Sequence, residues 1–154
     1  KIRMVNPLEI FAAKGNALIT RAAARDLYDW CNMLSEGLFE EQRDLFRKCF
    51  LFYMTISADT LNKSFDTSAI DTLDFNKIRR DLFPVLNKKD NFQLDERKKI
   101  AKNYISDLMV LTTKEKEYID RFEEKKYMPE LLFEDAEIVE RVKNHPMALW
   151  KCKE

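Results

Sequence analysis

Five charged residues between positions 14 and 29 have the types and spacing of a phosphate-handling site. Lys14 and Arg21 are seven residues apart, about two turns of a predicted first helix, so both cations face one side of it. Arg25 and Asp26 open a predicted second helix, and Asp29 follows Asp26 by one turn. Cations bind phosphate oxygens, and carboxylates bind a metal ion or accept a hydroxyl proton. The set is therefore suited to phosphoryl transfer.

The same spacing is also typical of helices without any catalytic role. Lysine stems extend along apolar faces, as that of Lys14 would between Ile10 and Leu18. Arg and Asp side chains are common where a helix begins. Spacing alone therefore leaves catalysis and ordinary helix surface both open.

The composition predicts that helices position these residues. The 154 residues include only 2 Gly and 4 Pro, and few turn-forming residues imply long elements. Hydrophobic residues at 45% and charged residues at 35% exclude a disordered chain, and the length fits one helical domain over residues 1–154. The 27 basic and 27 acidic residues cancel, so the net charge favours neither nucleic acid nor a membrane surface as partner. The longest apolar run, 49–54, is far below the ~18 residues of a membrane span.

The three cysteines indicate a cytoplasmic protein. Cys31, Cys49 and Cys152 are odd in number, widely spaced and without a C-x-x-C pair. This pattern favours reduced thiols that pack in the core over a disulfide framework or a zinc site.

Apolar periodicity and capping residues predict a mainly α fold, a helical bundle. Asn6 can cap a first helix that begins at Pro7. The residues from Phe46 to Met54 include a stripe with i, i+3, i+4, i+7 and i+8 spacing, which predicts a buried central helix within 40–57. Residues 59–74 are rich in Thr, Ser, Asp and Asn and are predicted to form a loop with one turn of helix.

Four further helices are predicted beyond these. They cover about 25–34, 75–86 with an interruption at Pro84, a stretch that begins at Asp95, and a stretch capped by Thr113. A last helix is expected to end near 145–146, and Leu149 and Trp150 are expected to dock the C-terminus on the core. Residues 2–5 alternate like a short N-terminal strand whose sheet would lie upstream.

Two stretches carry a resemblance to a known family. The first has the form E-x-x-A-x-K-x-x-A over 9–17 and continues through Arg21 to Arg25-Asp26-Leu27-Tyr28-Asp29. The second combines 127–133 with 145–151. Together they resemble the AbiEii/AbiGii-type toxin nucleotidyltransferases, of which this chain is similar to the C-terminal portion. Gly15 and Asn16 depart from the family pattern, because both weaken a helix interior.

The resemblance implies a polymerase-β-like enzyme that moves a nucleoside monophosphate from an NTP onto an acceptor, with tRNA as a candidate and Mg²⁺ as cofactor. Members act as toxins in bacterial toxin–antitoxin and phage-defence systems, so a cognate antitoxin is an expected partner. Lys14 falls on the family's lysine, where it would neutralise triphosphate charge together with Arg21 and Arg25. Asp26 would be catalytic by orienting Lys14 or the acceptor hydroxyl, and Asp29 would be a second carboxylate.

One departure from the family bears on activity. The Gly-Ser turn and the D-x-D metal-binding pair that the resemblance implies upstream of the lysine occur nowhere in this sequence. The metal ligands are therefore expected to lie outside this chain, and residues 2–5 would be the last strand of a missing sheet. Alone, this polypeptide is expected to be inactive.

Two further interpretations remain open. The stretch from Lys77 to Asn103 contains nine basic and four acidic residues. This local excess of positive charge could contact an RNA backbone or could simply be a solvated helical surface. The alternative to the enzyme is a non-enzymatic helical interaction module that shares the short motifs.

Overall fold

The computed structural model describes residues 7–37, 39–57, 67–73 and 94–152, and within these ranges the chain is mainly α-helical without a strand. Two short 3₁₀ turns cover Glu40–Gln42 and Pro129–Leu131. The α-helices in chain order are α1 (Pro7–Thr20), α2 (Ala24–Ser35), α3 (Arg43–Ser57), α4 (Ser68–Asp71), α5 (Leu94–Leu108), α6 (Thr113–Glu123), α7 (Ala136–Val142) and α8 (Pro146–Lys151).

The helices α1 and α2 form a hairpin. Arg21 to Ala23 reverse the chain. Ala22 adopts a left-handed φ of 50° and its amide donates to the Ala17 carbonyl at 3.1 Å. Trp30 Nε1 donates to the Phe11 carbonyl at 2.8 Å, which shows that α2 runs back along α1. The predicted start of the first helix at Pro7 and the predicted range of the second, about 25–34, agree with the structure to within a residue.

Gly15 lets the two helices approach closely. A Cβ atom at this position would lie 2.1 Å from Cζ2 of Trp30 and 2.5 Å from Cε2 of Phe50. The indole of Trp30 is fully buried against the bare backbone of α1. A glycine that weakens an isolated helix is therefore required here by tertiary packing.

The central helix of the molecule is α3, as the sequence predicted. Its side chains are buried around most of its circumference, because α1, α6 and α8 all pack against it. Its stretch from Phe50 to Phe52 is buried without interruption. Such all-round burial is typical of a core helix and explains why the apolar surface extends beyond one stripe.

A buried ion pair joins α3 to α6. Arg47 donates to both carboxylate oxygens of Glu115, from Nε at 2.9 Å and from Nη2 at 3.2 Å. Lys48 Nζ lies 3.1 Å from the same carboxylate, and the Thr112 amide donates to it at 2.9 Å. Although Glu115 is 0% exposed, its charge is thus compensated by two cations and one backbone N–H.

The N-cap of α6 is Thr112, so the predicted cap at Thr113 is wrong by one residue. Thr112 Oγ1 accepts from the Glu115 amide at 3.2 Å while Glu115 returns the bond to the Thr112 amide, which is a capping box. Thr113 could not form the same capping box, because the residue three positions later is Lys116, whose side chain has no hydrogen-bond acceptor. The start of α5 at Leu94 and the single turn α4 agree with the predictions for those segments.

The C-terminal residues pack on the core through aromatic side chains and one small side chain. Phe52 packs edge-on against Phe133 and against the His145 ring, and Ala148 is fully buried. His145 caps α8, which the sequence did not predict, by accepting from the Met147 amide at 3.2 Å. The expected docking of Leu149 and Trp150 is wrong, since they are 47% and 67% exposed. The six-residue helix buries the side that carries Ala148 and leaves the other side in solvent.

Several predictions lie outside the described residues: the strand at 2–5, the Asn6 cap, the helix at 75–86 and most of the loop at 59–74. In the ranges that are described, no helix has the length and apolar character needed to cross a bilayer. Cys31 and Cys49 are buried and Cys152 is half-buried, all as free thiols, in agreement with their predicted packing role.

Candidate functional site

The α1–α2 hairpin brings Lys14 and Asp29 into direct contact. Lys14 Nζ lies 2.7 Å from Asp29 Oδ2, and both side chains are about one-third exposed at 32% and 36%. The two residues are fifteen positions apart and on different helices, so the contact follows from the packing of α2 on α1. The sequence predicted that Lys14 and Arg21 share one side of the first helix and that Asp26 and Asp29 share one side of the second. The contact between a cation of one helix and a carboxylate of the other comes from the structure.

Asp26 lies one turn before Asp29 in the first turn of α2, and its side chain is buried. Its Oδ2 atom has no hydrogen-bond partner in the described part of the chain. Burial raises the pKa of Asp26, the positive charges of Lys14 and Arg21 oppose that rise, and the negative charge of Asp29 adds to it. Asp26 is therefore a desolvated carboxyl group on which two cations act electrostatically, and one of its oxygens accepts no hydrogen bond from the described residues.

The two arginines of the predicted set are exposed. Arg21 follows the last residue of α1, and its charge acts on Asp26. Arg25 stands beside Asp26 in α2 but forms no ion pair with the described part of the chain. The structure thus brings together Lys14, Arg21, Asp26 and Asp29, whereas Arg25 joins them only through its neighbour in the sequence.

Two residues that hold this site were not identified as functional from the sequence. Gly15 follows Lys14 and Trp30 follows Asp29, and the Trp30 ring packs so close to Gly15 that a Cβ there would lie 2.1 Å from it. The signal that was available is the glycine itself, because a glycine inside a predicted helix can mark a close approach of two helices.

The described residues do not fit a divalent metal ion. They contain no group of three or more His, Cys, Asp or Glu side chains that could hold one. Of the two carboxylates at the hairpin, Asp29 is paired with an ammonium and Asp26 is buried beside cations. This donor set suits an anionic ligand or a proton rather than Mg²⁺.

The described part of the basic stretch is largely engaged within the chain. Lys102 Nζ lies 2.8 Å from Asp71 Oδ2, and Lys98 Nζ donates to the Asp71 carbonyl at 3.2 Å. Arg97 stacks over the Tyr28 ring at 5.6 Å from its centroid. Lys99 is exposed on α5. The remaining basic residues of the stretch, 77–89, lie outside the described residues.

Comparison with known proteins identifies a protein family that this chain matches. A family model described as the nucleotidyl transferase AbiEii toxin of a type IV TA system matches residues 1–124, which include the first signature stretch and the whole α1–α2 hairpin. The second stretch, 127–151, lies beyond the match. No curated protein and no solved structure matches the chain.

Proposed function

The chain belongs to the AbiEii nucleotidyl transferase toxin family, and from that premise we propose that its α1–α2 hairpin takes part in nucleotidyl transfer to an acceptor hydroxyl. The observation that carries the proposal is the convergence of Lys14 and Arg21 with the buried, incompletely bonded carboxyl of Asp26. Buried polar atoms without partners are uncommon in folded proteins and often belong to functional sites.

The reaction makes separable demands on these groups. The acceptor oxygen forms a bond to the α-phosphorus of the NTP, the bond from that phosphorus to the pyrophosphate oxygen breaks, and the hydroxyl proton must leave. The negative charge that develops on the phosphates is stabilised by three cations, Lys14, Arg21 and the exposed Arg25. Asp26 accepts the hydroxyl proton, a role for which a raised carboxyl pKa is favourable.

The family implies an NTP substrate and usually a divalent metal ion, for which Mg²⁺ is our proposal. The hairpin carboxylates do not fit that ion, and the sequence contains neither Gly-Ser nor D-x-D. We therefore assign the metal ligands to a part of the protein other than this chain, and no step described for the hairpin runs through the metal.

This polypeptide by itself is expected to fold but not to catalyse transfer. Incubation with Mg²⁺, each α-labelled NTP and total bacterial tRNA should give no labelled RNA above a blank, because the metal carboxylates are missing. A circular dichroism melt shows in parallel that the chain is folded. Labelled product from the folded chain would contradict the assignment of the metal ligands elsewhere.

In the complete toxin, Lys14→Ala is expected to lower the transfer rate by about a hundredfold or more, since one cation directed at the transition state is lost. Asp26→Asn should lower it by a factor on the order of a hundred or more through loss of the proton acceptor. Rates are measured with labelled NTP at equal protein concentration. Lys116→Ala, which removes an exposed lysine from α6, is the matched control and should stay within about twofold of the parent.

Thermal stability separates these losses from unfolding. Because burial raises the folded-state pKa of Asp26, its ionisation disfavours folding above the unfolded-state pKa. Asp26→Asn should therefore keep or increase the melting temperature at neutral pH. An Asp26→Asn variant as active as the parent, or a Lys14→Ala variant as active as Lys116→Ala, removes that residue from the mechanism.

We propose a cognate antitoxin as the partner and a tRNA as the acceptor. Membership in a toxin family of a toxin–antitoxin system implies an antitoxin, and the free cysteines favour a cytoplasmic setting. The proposal of a tRNA acceptor rests on the excess of basic residues in the sequence over 77–103. It draws no support from the structure, because three of the four basic residues described there have partners within the chain. Exposed Met147, Leu149 and Trp150 are the observation that favours an additional interaction surface.

A further inference from the structure

We infer that Asp29 is a positioning residue, which holds the Lys14 ammonium in place for the phosphates rather than binding a metal or acting as a base. The inference rests on the proposed function of Lys14. Its basis is the 2.7 Å contact of Lys14 Nζ with Asp29 Oδ2 together with the packing on either side of that contact.

Close packing holds the backbone beneath the Lys14–Asp29 pair in place. Gly15, next to Lys14, and Trp30, next to Asp29, are in such close contact that no Cβ fits between them. The indole N–H of Trp30 also donates to the Phe11 carbonyl, which prevents the two helices from sliding along each other. The buried Gly15–Trp30 contact therefore fixes the distance between the Cα atoms of Lys14 and Asp29, and the ion pair then fixes the end of the lysine side chain.

The geometry leaves the ammonium able to act. An ammonium carries three N–H donors, and the contact with Asp29 Oδ2 uses one of them. Two donors remain for phosphate oxygens. A free lysine has four rotatable bonds and would lose that freedom on binding the nucleotide. A lysine that is already held avoids this entropic cost and acts in the transition state with little rearrangement.

An ordinary surface ion pair is the competing explanation, and it predicts different results. Pairs as exposed as this one stabilise a fold only slightly. Asp29→Asn should therefore change the melting temperature little under either explanation. Only positioning predicts that the same variant loses catalytic rate and that its lysine ammonium becomes mobile.

The experiment combines kinetics of the complete toxin with ¹⁵N relaxation of the Lys14 ammonium in this chain. Asp29→Asn should lower kcat by between about tenfold and a hundredfold and change KM by less than about threefold, whereas Asp29→Glu should recover most of kcat. Asp107→Asn, which alters an exposed aspartate on α5, is the control and should leave kcat unchanged. The ammonium order parameter should be high in the parent chain and fall in Asp29→Asn.

Each outcome has a defined meaning. An ammonium equally mobile in parent and Asp29→Asn overturns the positioning role whatever the kinetics show. Loss of activity in Lys14→Ala with full activity in Asp29→Asn also overturns it while leaving the proposed function intact. Full activity in both variants is instead a failure of the proposed function.

Discussion

Replacement of Glu115 by alanine is expected to lower the free energy of unfolding by about 3–5 kcal/mol, because it leaves the buried Arg47 guanidinium without its main partner. The substitution also removes half of the capping box and the acceptor for the Thr112 amide. Asp44 still contacts Arg47 at 3.0 Å, but its side chain is 83% exposed and compensates the buried charge poorly. Urea denaturation measures the loss as a lower midpoint at unchanged slope.

A control and a rescue variant test the cause of this loss. Glu117→Ala removes an exposed glutamate two residues further along α6 and should cost less than about 0.5 kcal/mol. The double variant Arg47→Met/Glu115→Leu should recover much of the stability, since apolar residues of similar volume replace both charges. If Glu115→Ala costs no more than Glu117→Ala, the pair does not stabilise the fold.

The same carboxylate gives the protein an acid limit. Burial alone would raise the pKa of Glu115, but the hydrogen bonds from Arg47, the Thr112 amide and Lys48 lower it below the ordinary value of 4.5. A carboxylate with a lowered folded-state pKa contributes stability that is present above the unfolded-state pKa. That contribution is lost as the pH falls below 4.5 and through the folded-state pKa. The Glu115→Ala variant should therefore show a smaller loss of stability over this acid range than the parent.

Gly15→Ala is expected to destabilise the protein by about 3 kcal/mol or more, at the upper end of the cost of overpacking a core. The new methyl group would lie 2.1 Å from Trp30 and 2.5 Å from Phe50, both buried. Alanine improves helix propensity by about 1 kcal/mol, which is too little to offset that clash. The melting temperature and urea midpoint measure the net change.

The other glycine of the chain supplies the comparison. Among the described residues, the Cβ of Gly37→Ala meets nothing closer than 3.9 Å, so its expected cost is that of the positive φ of 67°, roughly 1–2 kcal/mol. Trp30→Leu in the Gly15→Ala background removes the clashing ring atoms. That double variant should lose less than the sum of the two single variants, because the two positions are in contact. A Gly15→Ala protein as stable as the parent would show that the helices can separate without cost, and it would remove the basis for a fixed Lys14–Asp29 geometry.

The helices could be predicted because their signals are local. The apolar stripe of α3, the Pro at the start of α1 and the acidic first turns belong to neighbouring residues, which a single helix brings together. Errors occurred where two adjacent residues offered the same local signal. Thr112 and Thr113 can each cap a helix, and only the bond returned by Glu115 selects the first. Leu149 and Trp150 are as apolar as core residues, but the space against α3 is occupied by Ala148 and His145.

The sequence by itself identified the charged residues of the candidate site, but not the Gly15 and Trp30 contact that packs beneath them. Its spacing placed Lys14, Arg21, Asp26 and Asp29 on adjoining helices, and its signature stretch predicted the family that the comparison confirmed. Which carboxylate meets the lysine was decided only by the tertiary structure. Asp26 and Asp29 are one turn apart on α2, so the sequence offers two carboxylates for one lysine. The choice depends on the offset between α1 and α2, which is set by the contact of Gly15 with Trp30, and such long-range packing has no signal in local periodicity.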